Sequence, residues 1–234
     1  MQKDSTHPLK ASRPITAEEV ASDAKKRVSL IDKEFTEGLE FIRKYEKSVS
    51  IFGSSMLPDN SPYCQKAREI GAAIAKIGYT VITGGGPGIM QAANQGAFEA
   101  GGKSIGLNIT LPHEQAPNPY LTDYYEFYYF FSRKVALTFA AEAYLFFPGG
   151  YGTMNEFFEI ATLVQTQRIE SVPIILVCSE FWKPFDSFIK EMLYKKNKMI
   201  DDHSLSLYTL CDDEKEIISM IQRTPIIDTV PFPK

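Results

Sequence analysis

The stretch Tyr79-Thr80-Val81-Ile82-Thr83-Gly84-Gly85-Gly86-Pro87-Gly88 combines a short apolar β-strand with a glycine-rich loop. The segment after it is predicted to be a helix that runs to Ala100 and stops at Gly101-Gly102, because glycine commonly ends helices. Ser104 to Ile109 is the next predicted strand. A strand, a helix and a second strand in this order are typical of a parallel sheet that is covered by helices.

The same alternation extends in both directions along the chain. Further strands are predicted at residues 49–52, 124–131, 144–147, 173–177 and 207–210. Helices are predicted from Ser61-Pro62 onward, with Pro62 in a first-turn position, and at residues 133–141, 153–167, 181–196 and 213–222. The alternation predicts a doubly wound α/β fold, in which a mostly parallel sheet carries helices on both faces.

A helical extension is predicted to precede this domain. Thr16-Ala17-Glu18-Glu19 has the spacing of a capping box, and apolar residues recur at a helical period as far as about Lys47. The extension is expected to pack on the domain or on a partner subunit. The predicted organisation is a flexible tail at 1–15, the helical extension at 16–47, the α/β domain at 48–223 and a C-terminal tail at 224–234.

Composition excludes several classes of partner. The chain has 234 residues, a net charge of −4 and a pI near 5.5, so it lacks the basic surface of a nucleic-acid-binding protein. No basic run suits an anionic membrane, and the apolar stretches are too short to span one. We therefore expect neither nucleic acid nor a membrane as a partner.

The cysteines and histidines argue against a metal site. Cys64, Cys178 and Cys211 lie far apart and form no Cys-x-x-Cys pair, which disfavours both a disulfide framework and a zinc site. The three histidines are scattered in polar or loop segments. Residues 1–15 contain no apolar core of a signal peptide. These observations predict a cytoplasmic protein without a metal.

Two glycine-rich loops point to a phosphorylated ligand. The loops at 84–88 and 148–150 each follow a predicted strand and open a helix, and ligands of α/β sheets bind at this edge. The free N–H groups of a helix start suit a phosphate, and glycine lets the backbone approach it. Neither loop fits the dinucleotide or P-loop pattern. A single such loop is as easily explained as a tight turn, but two in one sheet favour phosphate binding.

The stretch Pro148-Gly149-Gly150-Tyr151-Gly152-Thr153-Met154-Asn155-Glu156 allows two interpretations. Thr153 and Glu156 have capping-box spacing and would then only begin a helix. Alternatively, Glu156 is a carboxylate that the first helical turn keeps ionised, beside a sugar whose oxocarbenium-like transition state it stabilises or whose attacking water it activates. Glu159 lies one turn further and either supports Glu156 or faces solvent.

Residues 84–90, Arg133-Lys134 and 148–156 together resemble the Lonely guy (LOG) family of cytokinin riboside 5′-monophosphate phosphoribohydrolases. The resemblance extends from about Val49 to Leu210. It implies a Rossmann-like fold, a homodimer or a larger homo-oligomer, and a site near the subunit interface. It also implies that Arg133 and Glu156 are catalytic. The substrate and phosphate-binding residues predicted with it are Gly53, Ser54, Gly85, Gly86, Met90, Lys134, Gly149, Gly150, Gly152, Thr153 and Glu159.

The chain departs from the family pattern at three places. Phe131-Ser132 stands where many members have Met-His-Glu before the Arg-Lys pair, Pro87 replaces a small residue, and the N-terminal helix is additional. Arg133 and Glu156 are both retained, so the reaction type is better supported than the preference for a base.

The resemblance predicts hydrolysis of the N-glycosidic bond of a nucleoside 5′-monophosphate, either a cytokinin riboside 5′-monophosphate or AMP, without a cofactor. The alternative is a non-catalytic carrier of a nucleotide or of molybdenum cofactor, which needs the glycine loops but not Arg133 and Glu156. Arg133 would bind the phosphate or the ribose, or assist the leaving base; without the motif it would be an ordinary surface arginine. The aromatic run at 124–131 is assigned to the core and a subunit interface in preference to a base-stacking wall.

Overall fold

The computed structural model describes residues 17–110, 116–139 and 141–225. The strands are β1 (Ser48–Phe52), β2 (Thr80–Thr83), β3 (Ser104–Ile109), β4 (Asp123–Phe127), β5 (Ala143–Phe146), β6 (Ile174–Leu176) and β7 (Thr209–Leu210). The α-helices are α1 (Ala17–Ile42), α2 (Pro62–Lys76), α3 (Ile89–Glu99), α4 (Phe130–Phe139), α5 (Tyr151–Gln165), α6 (Ser179–Phe188) and α7 (Glu214–Arg223). Helix α6 continues as π-helix over Ile189–Lys196, and a 3₁₀ turn spans His203–Ser206.

The strands form one sheet in the order β4-β3-β2-β1-β5-β6-β7, and every neighbouring pair is parallel. The chain first builds outward from β1 to β4 and then returns to the other side of β1 with β5. The order of strands therefore reverses between β1 and β5, which is where open α/β sheets bind their ligands. The predicted Rossmann-like, doubly wound fold is confirmed.

Two apolar layers, one on each face of the sheet, form the core. Successive side chains of a strand point to opposite faces, so Ile51 joins one layer and Phe52 the other. Helices α2, α3 and α7 cover the Ile51 face, whereas α1, α4, α5 and α6 cover the Phe52 face. Trp182 is fully buried on the second face, as expected of a packing residue, and its indole N–H donates to the carbonyls of Phe146 and Val177.

The N-terminal helix packs on the domain, against α4 and β4. Phe41 and Ile42 are buried in the Phe52-side layer. The predicted start of the helix at Thr16 lies outside the described residues, and its end at Ile42 comes earlier than the predicted Lys47. The reason is that the chain must turn into β1, and Lys47 adopts a positive φ of 55° at that turn.

The predicted strand at 124–131 is too long. Strand β4 ends at Phe127, and α4 already begins at Phe130, so Phe130 and Phe131 are helical. The backbone N–H groups of Tyr128 and Tyr129 donate to the carboxylate of Glu34, which replaces ladder hydrogen bonds at this turn. Across residues 17–110, 116–139 and 141–225, no helix is both long and apolar enough to cross a membrane.

Candidate active site at the carboxyl edge of the sheet

Three loops meet where the strand order reverses. They follow β1 (Gly53-Ser54), β2 (residues 84–88) and β5 (residues 148–150). The backbone N–H of Ser54 donates to the carbonyl of Pro148 at 3.0 Å, and the N–H of Ile89 donates to the carbonyl of Ser54 at 3.0 Å. The loop after β1 therefore connects the loops after β2 and β5 through hydrogen bonds.

Helix α5 begins at this junction with its first turn uncapped by any side chain. Its N-cap is Gly150, which makes no side-chain hydrogen bond, and the first N–H groups of a helix have no partner within it. A Cβ placed on Gly150 or on Gly152 would meet nothing within 4 Å, so open space surrounds both glycines. The start of α5 is therefore suited to a bound anion.

The loop before α5 is shaped by Thr153. Thr153 is buried, and a Cβ on Gly149 would lie 2.1 Å from its Oγ1 atom. Glycine at 149 is thus required by packing, in contrast to Gly150 and Gly152, which are not required by it.

The structure corrects the interpretation of Thr153 and Glu156 as a capping box. Because Gly150 is the N-cap, α5 begins at Tyr151, two residues before the predicted start, and Thr153 is its third residue. Glu156 is the sixth and lies beyond the first turn. The expectation that the helix start keeps this carboxylate ionised is also wrong, because burial raises the pKa of Glu156 to about 7.

Nearby charges act on the Glu156 carboxyl in opposite directions. Burial is the largest influence and raises its pKa, Arg133 and Lys134 lower it, and Glu159 raises it. A carboxyl group with a pKa near 7 exchanges protons readily at neutral pH, which suits acid–base chemistry.

Arg133 lies on α4 and is only 8% exposed, so it is not an ordinary surface arginine. Its Nε atom donates to the carbonyl of Leu107 at 2.6 Å, and Nη2 donates to the carbonyl of Gly84 at 3.3 Å. Burial lowers the pKa of Arg133, and the attraction of Glu156 opposes that effect. The guanidinium therefore links α4 to β3 and to the loop after β2, within the field of Glu156.

Lys134 and Glu159 form the second charged pair of the site. Their Nζ and Oε2 atoms are 2.6 Å apart, and the side chains are 24% and 30% exposed. The pair joins α4 to α5, so Glu159 neither simply faces solvent nor hydrogen-bonds Glu156 in the described contacts. The Arg-Lys dipeptide thus acts on two carboxylates of one helix.

The loop after β2 leaves no space for a side chain at Gly84 or Gly85. A Cβ on Gly84 would lie 2.2 Å from Nη2 of Arg133 and 2.8 Å from Sδ of Met90. Gly85 has a φ of +70°, and a Cβ there would lie 2.1 Å from Oδ1 of Asn108. The Gly86 carbonyl accepts a hydrogen bond from Asn118. The predicted residues Gly85, Gly86 and Met90 therefore lie at the same edge as Arg133.

The remaining predicted residues also lie at this edge. A Cβ on Gly53 would come within 2.5 Å of the Ile89 side chain, so β1 and α3 can approach only because residue 53 is glycine. The Ser54 hydroxyl accepts a hydrogen bond from the N–H of Met56.

Sequence reasoning missed a buried amide network beneath the β2 loop. Asn94 accepts hydrogen bonds from Thr83 at 2.6 Å and from Asn118 at 3.0 Å, and it donates to Ser104 at 2.8 Å. Asn108 donates to the Gly85 carbonyl at 3.4 Å, while its Oδ1 has no partner among the described residues. The one signal in the sequence was Pro117-Asn118-Pro119, which marks an asparagine in a constrained turn.

Within the part of the chain that the structure describes, no group of three or more histidine, cysteine, aspartate or glutamate residues could bind a metal ion. His203 lies in the 3₁₀ turn, and His7 and His113 fall outside the described residues. This edge of the sheet brings together a buried arginine, an ion pair, a carboxyl group of raised pKa and a helix start without a side-chain cap.

Comparisons with known proteins agree with this picture. A family model described as "possible lysine decarboxylase" matches residues 90–221. The cytokinin riboside 5′-monophosphate phosphoribohydrolase of Rhodococcoides fascians is 27% identical over 184 residues, covering 77% of this chain and 91% of that protein. The corresponding enzyme LOG of Oryza sativa subsp. japonica is 27% identical over 147 residues, covering 61% of this chain and 60% of its own length.

Solved structures share the fold. The structural-genomics target TM1055 superposes with a TM-score of 0.59 at 27% identity, covering 76% of this chain and 99% of its own. The molybdenum cofactor carrier protein of Chlamydomonas reinhardtii gives a TM-score of 0.58 at 20% identity, with 76% and 98% coverage. The molybdenum cofactor binding protein of Rippkaea orientalis gives 0.56 at 18% identity, with 76% and 96% coverage. The last two likenesses concern the fold alone.

Proposed function

Because this chain belongs to the LOG family, we propose that it hydrolyses the N-glycosidic bond of a nucleoside 5′-monophosphate to the free base and ribose 5-phosphate. The substrate would be a cytokinin riboside 5′-monophosphate or AMP. The relatives from Rhodococcoides fascians and Oryza sativa carry that activity in their names.

The observation that carries the proposal is the electrostatic attraction between the buried Arg133 and the Glu156 carboxyl group. A fold does not need an arginine that is only 8% exposed next to a carboxyl whose pKa is raised to about 7. Burying charged groups costs several kcal/mol each, and strongly shifted pKa values cluster at functional sites. A carrier would need the glycine loops but not this pair.

The 5′-phosphate would bind at the start of α5. The first-turn N–H groups of α5 have no side-chain cap, and open space lies beside Gly150 and Gly152 where a Cβ would be; the positive end of the helix dipole favours a dianion there. A phosphate fixed at this point places the ribose beside the next turn of the helix, which carries Glu156.

Hydrolysis would then replace the bond between the ribose C1′ atom and the base nitrogen by a bond between C1′ and the oxygen of water. The C1′–N bond breaks and its electron pair leaves with the base, while positive charge develops on the sugar. Ionised Glu156 stabilises that charge and accepts a proton from the attacking water, whose oxygen bonds to C1′. The proton is finally transferred to the departing base, so the products are the base and ribose 5-phosphate.

Arg133 would keep part of the Glu156 population ionised. Its positive charge lowers the pKa of Glu156 against the effect of burial, and its bonds to Leu107 and Gly84 leave the guanidinium little freedom to move. The fixed guanidinium also orients the β2 loop, which borders the same cleft.

The test is the release of base from AMP and, separately, from isopentenyladenosine 5′-monophosphate, measured by chromatography. We expect the protein to release base and Glu156→Gln to lose about 10²- to 10⁴-fold in rate, the usual contribution of a general base. The matched control is Glu69→Gln, an exposed carboxylate on α2, which lies across the sheet. Tight nucleotide binding without base release would contradict the proposal and favour a carrier.

A further inference from the structure

The first turn of α4 is capped by a residue of another helix. The carboxylate of Glu34, on α1, accepts hydrogen bonds from the backbone N–H of Tyr128 at 2.6 Å and of Tyr129 at 3.1 Å. It also accepts a hydrogen bond from the hydroxyl of Ser132. The N-terminal helix thus supplies three bonds to the turn from which α4 begins.

A cap from elsewhere is needed because α4 lacks one of its own. The first N–H groups of any helix have no intrahelical partner, and serine, threonine, aspartate or asparagine usually satisfies them. Here the residues before α4 are Tyr128 and Tyr129, whose side chains do not cap helices. The Glu34 carboxylate instead accepts from the N–H groups of Tyr128 and Tyr129, the two residues that lead into the helix, and its negative charge complements the positive end of the helix dipole.

The capped turn lies directly before the charged residues of the site. The carbonyl of Tyr129 accepts hydrogen bonds from the backbone N–H of Arg133 at 3.2 Å and from the Ser132 hydroxyl at 3.0 Å. Glu34 therefore bonds to Tyr129, the residue whose carbonyl accepts the helical hydrogen bond from Arg133. Lys134 is the next residue, and its ion pair with Glu159 depends on the same turn.

Packing holds Glu34 at this point. The rings of Phe35 and Phe131 lie 6.2 Å apart, and a Cβ on Gly38 would come within 2.7 Å of the Phe127 ring. Close contact of α1 with both β4 and α4 leaves the Glu34 carboxylate fixed over the start of α4.

We propose that Glu34 is a positioning residue of the active site, which fixes the first turn of α4 and through it the places of Arg133 and Lys134 next to the carboxylates of α5. The inference rests on the proposed function for its kinetic consequences. It gives the N-terminal helix a part in the reaction although none of the described contacts brings a side chain of that helix into the cleft.

Losing the cap should affect the chemistry more than substrate binding. The phosphate loop at 148–150 and the start of α5 make none of the described contacts with Glu34, so KM should change less than threefold. If the first turn of α4 frays, Arg133 and Lys134 withdraw from Glu156, whose pKa then rises further. We expect kcat at pH 7 to fall about tenfold, with the activity recovering at higher pH.

The experiment compares Glu34→Gln with Glu37→Gln as the matched control. Glu37 lies one turn further on α1, accepts a hydrogen bond from the Tyr125 hydroxyl at 3.1 Å and pairs with Lys33 at 3.6 Å, and has no described bond to α4. Ser132→Ala, which removes one of the three bonds to Glu34, should show a smaller change in the same direction. Each variant is measured for kcat and KM as a function of pH, and for hydrogen exchange of the peptide covering 128–139.

The outcomes distinguish the positioning role of Glu34 from the proposed hydrolysis. A shifted pH–rate profile and faster exchange of 128–139 in Glu34→Gln, with neither in Glu37→Gln, would support positioning. Equal behaviour of both variants, or a loss of thermal stability with an unchanged pH–rate profile, would overturn it. If the unaltered protein releases no base, the proposed function fails, and the exchange of 128–139 alone then decides whether Glu34 positions Arg133.

Discussion

Folding disfavours the ionised form of the Glu156 carboxyl group. The pKa of Glu156 rises from an ordinary 4.5 to about 7 because burial outweighs the attraction of Arg133 and Lys134. At this group the folded state therefore binds more protons than the unfolded state between those two pH values, so the contribution of Glu156 to stability falls as pH rises through that interval.

The direction of this pH dependence gives a prediction for the variant Glu156→Gln, whose amide side chain cannot ionise. Between pH 5 and pH 8 the free energy of unfolding of the unaltered protein should fall, by at most about 3 kcal/mol, relative to that of the variant. Urea unfolding of both proteins at the two pH values measures the difference. If the difference in the free energy of unfolding between the unaltered protein and Glu156→Gln does not change with pH, the Glu156 carboxyl group has its ordinary pKa.

At the scale of one helix, α5 separates the glycines required by the fold from those available for function. Gly152 lies in the first turn, and a Cβ there would touch nothing within 4 Å, so Gly152→Ala should leave the protein as stable or about 1 kcal/mol more stable. The added methyl group stands where we expect the phosphate, and AMP should bind at least about tenfold more weakly, equivalent to 1.4 kcal/mol.

Calorimetric titration with AMP and a thermal melt measure the two effects of Gly152→Ala. Thr162→Ala, at an exposed position of the same helix, serves as the control and should retain affinity. Unchanged AMP affinity in Gly152→Ala would mean that the phosphate does not bind at the start of α5.

The elements were predictable where their signals are local. Ser61 caps α2 through the N–H of Tyr63 with Pro62 behind it, as its sequence indicates, and both glycine loops open helices. The start of α4 was not predictable, because its cap comes from Glu34, far away in the sequence. The sequence grouped Arg133, Lys134, Glu156 and Glu159 as candidates. For the buried amides that support the β2 loop it offered only Pro117-Asn118-Pro119, because the hydrogen-bond partners of Asn118 lie far away in the sequence.

For the molecule as a whole, we propose that two chains associate across the site. Phe130 and Phe131 of α4 and Phe158 of α5 are 56%, 46% and 45% exposed, on the helices that carry Arg133 and Glu156. Adjacent exposed aromatic side chains are typical of a surface that another protein covers.

Sedimentation velocity should therefore find a species of twice the 26.3 kDa chain mass, and Phe130→Asp should reduce it to one chain. Phe98→Asp is the control, because Phe98 is 45% exposed on α3, on the opposite face of the sheet. A single-chain mass for the unaltered protein at micromolar concentration would rule out the homodimer.

The order of the strands also determines at which stage of chain synthesis the cleft can form. Val49 of β1 pairs with Ala143 of β5, which the ribosome adds 94 residues later. At about 5–20 residues per second, one edge of β1 waits roughly 5–20 s for its neighbour. Strands β1 to β4 emerge first, and the junction of the β1 and β5 loops forms only after them. A nascent chain that stalls before residue 143 therefore has the glycine loop after β2 but lacks the loop after β5 and the start of α5, where we propose that the phosphate binds.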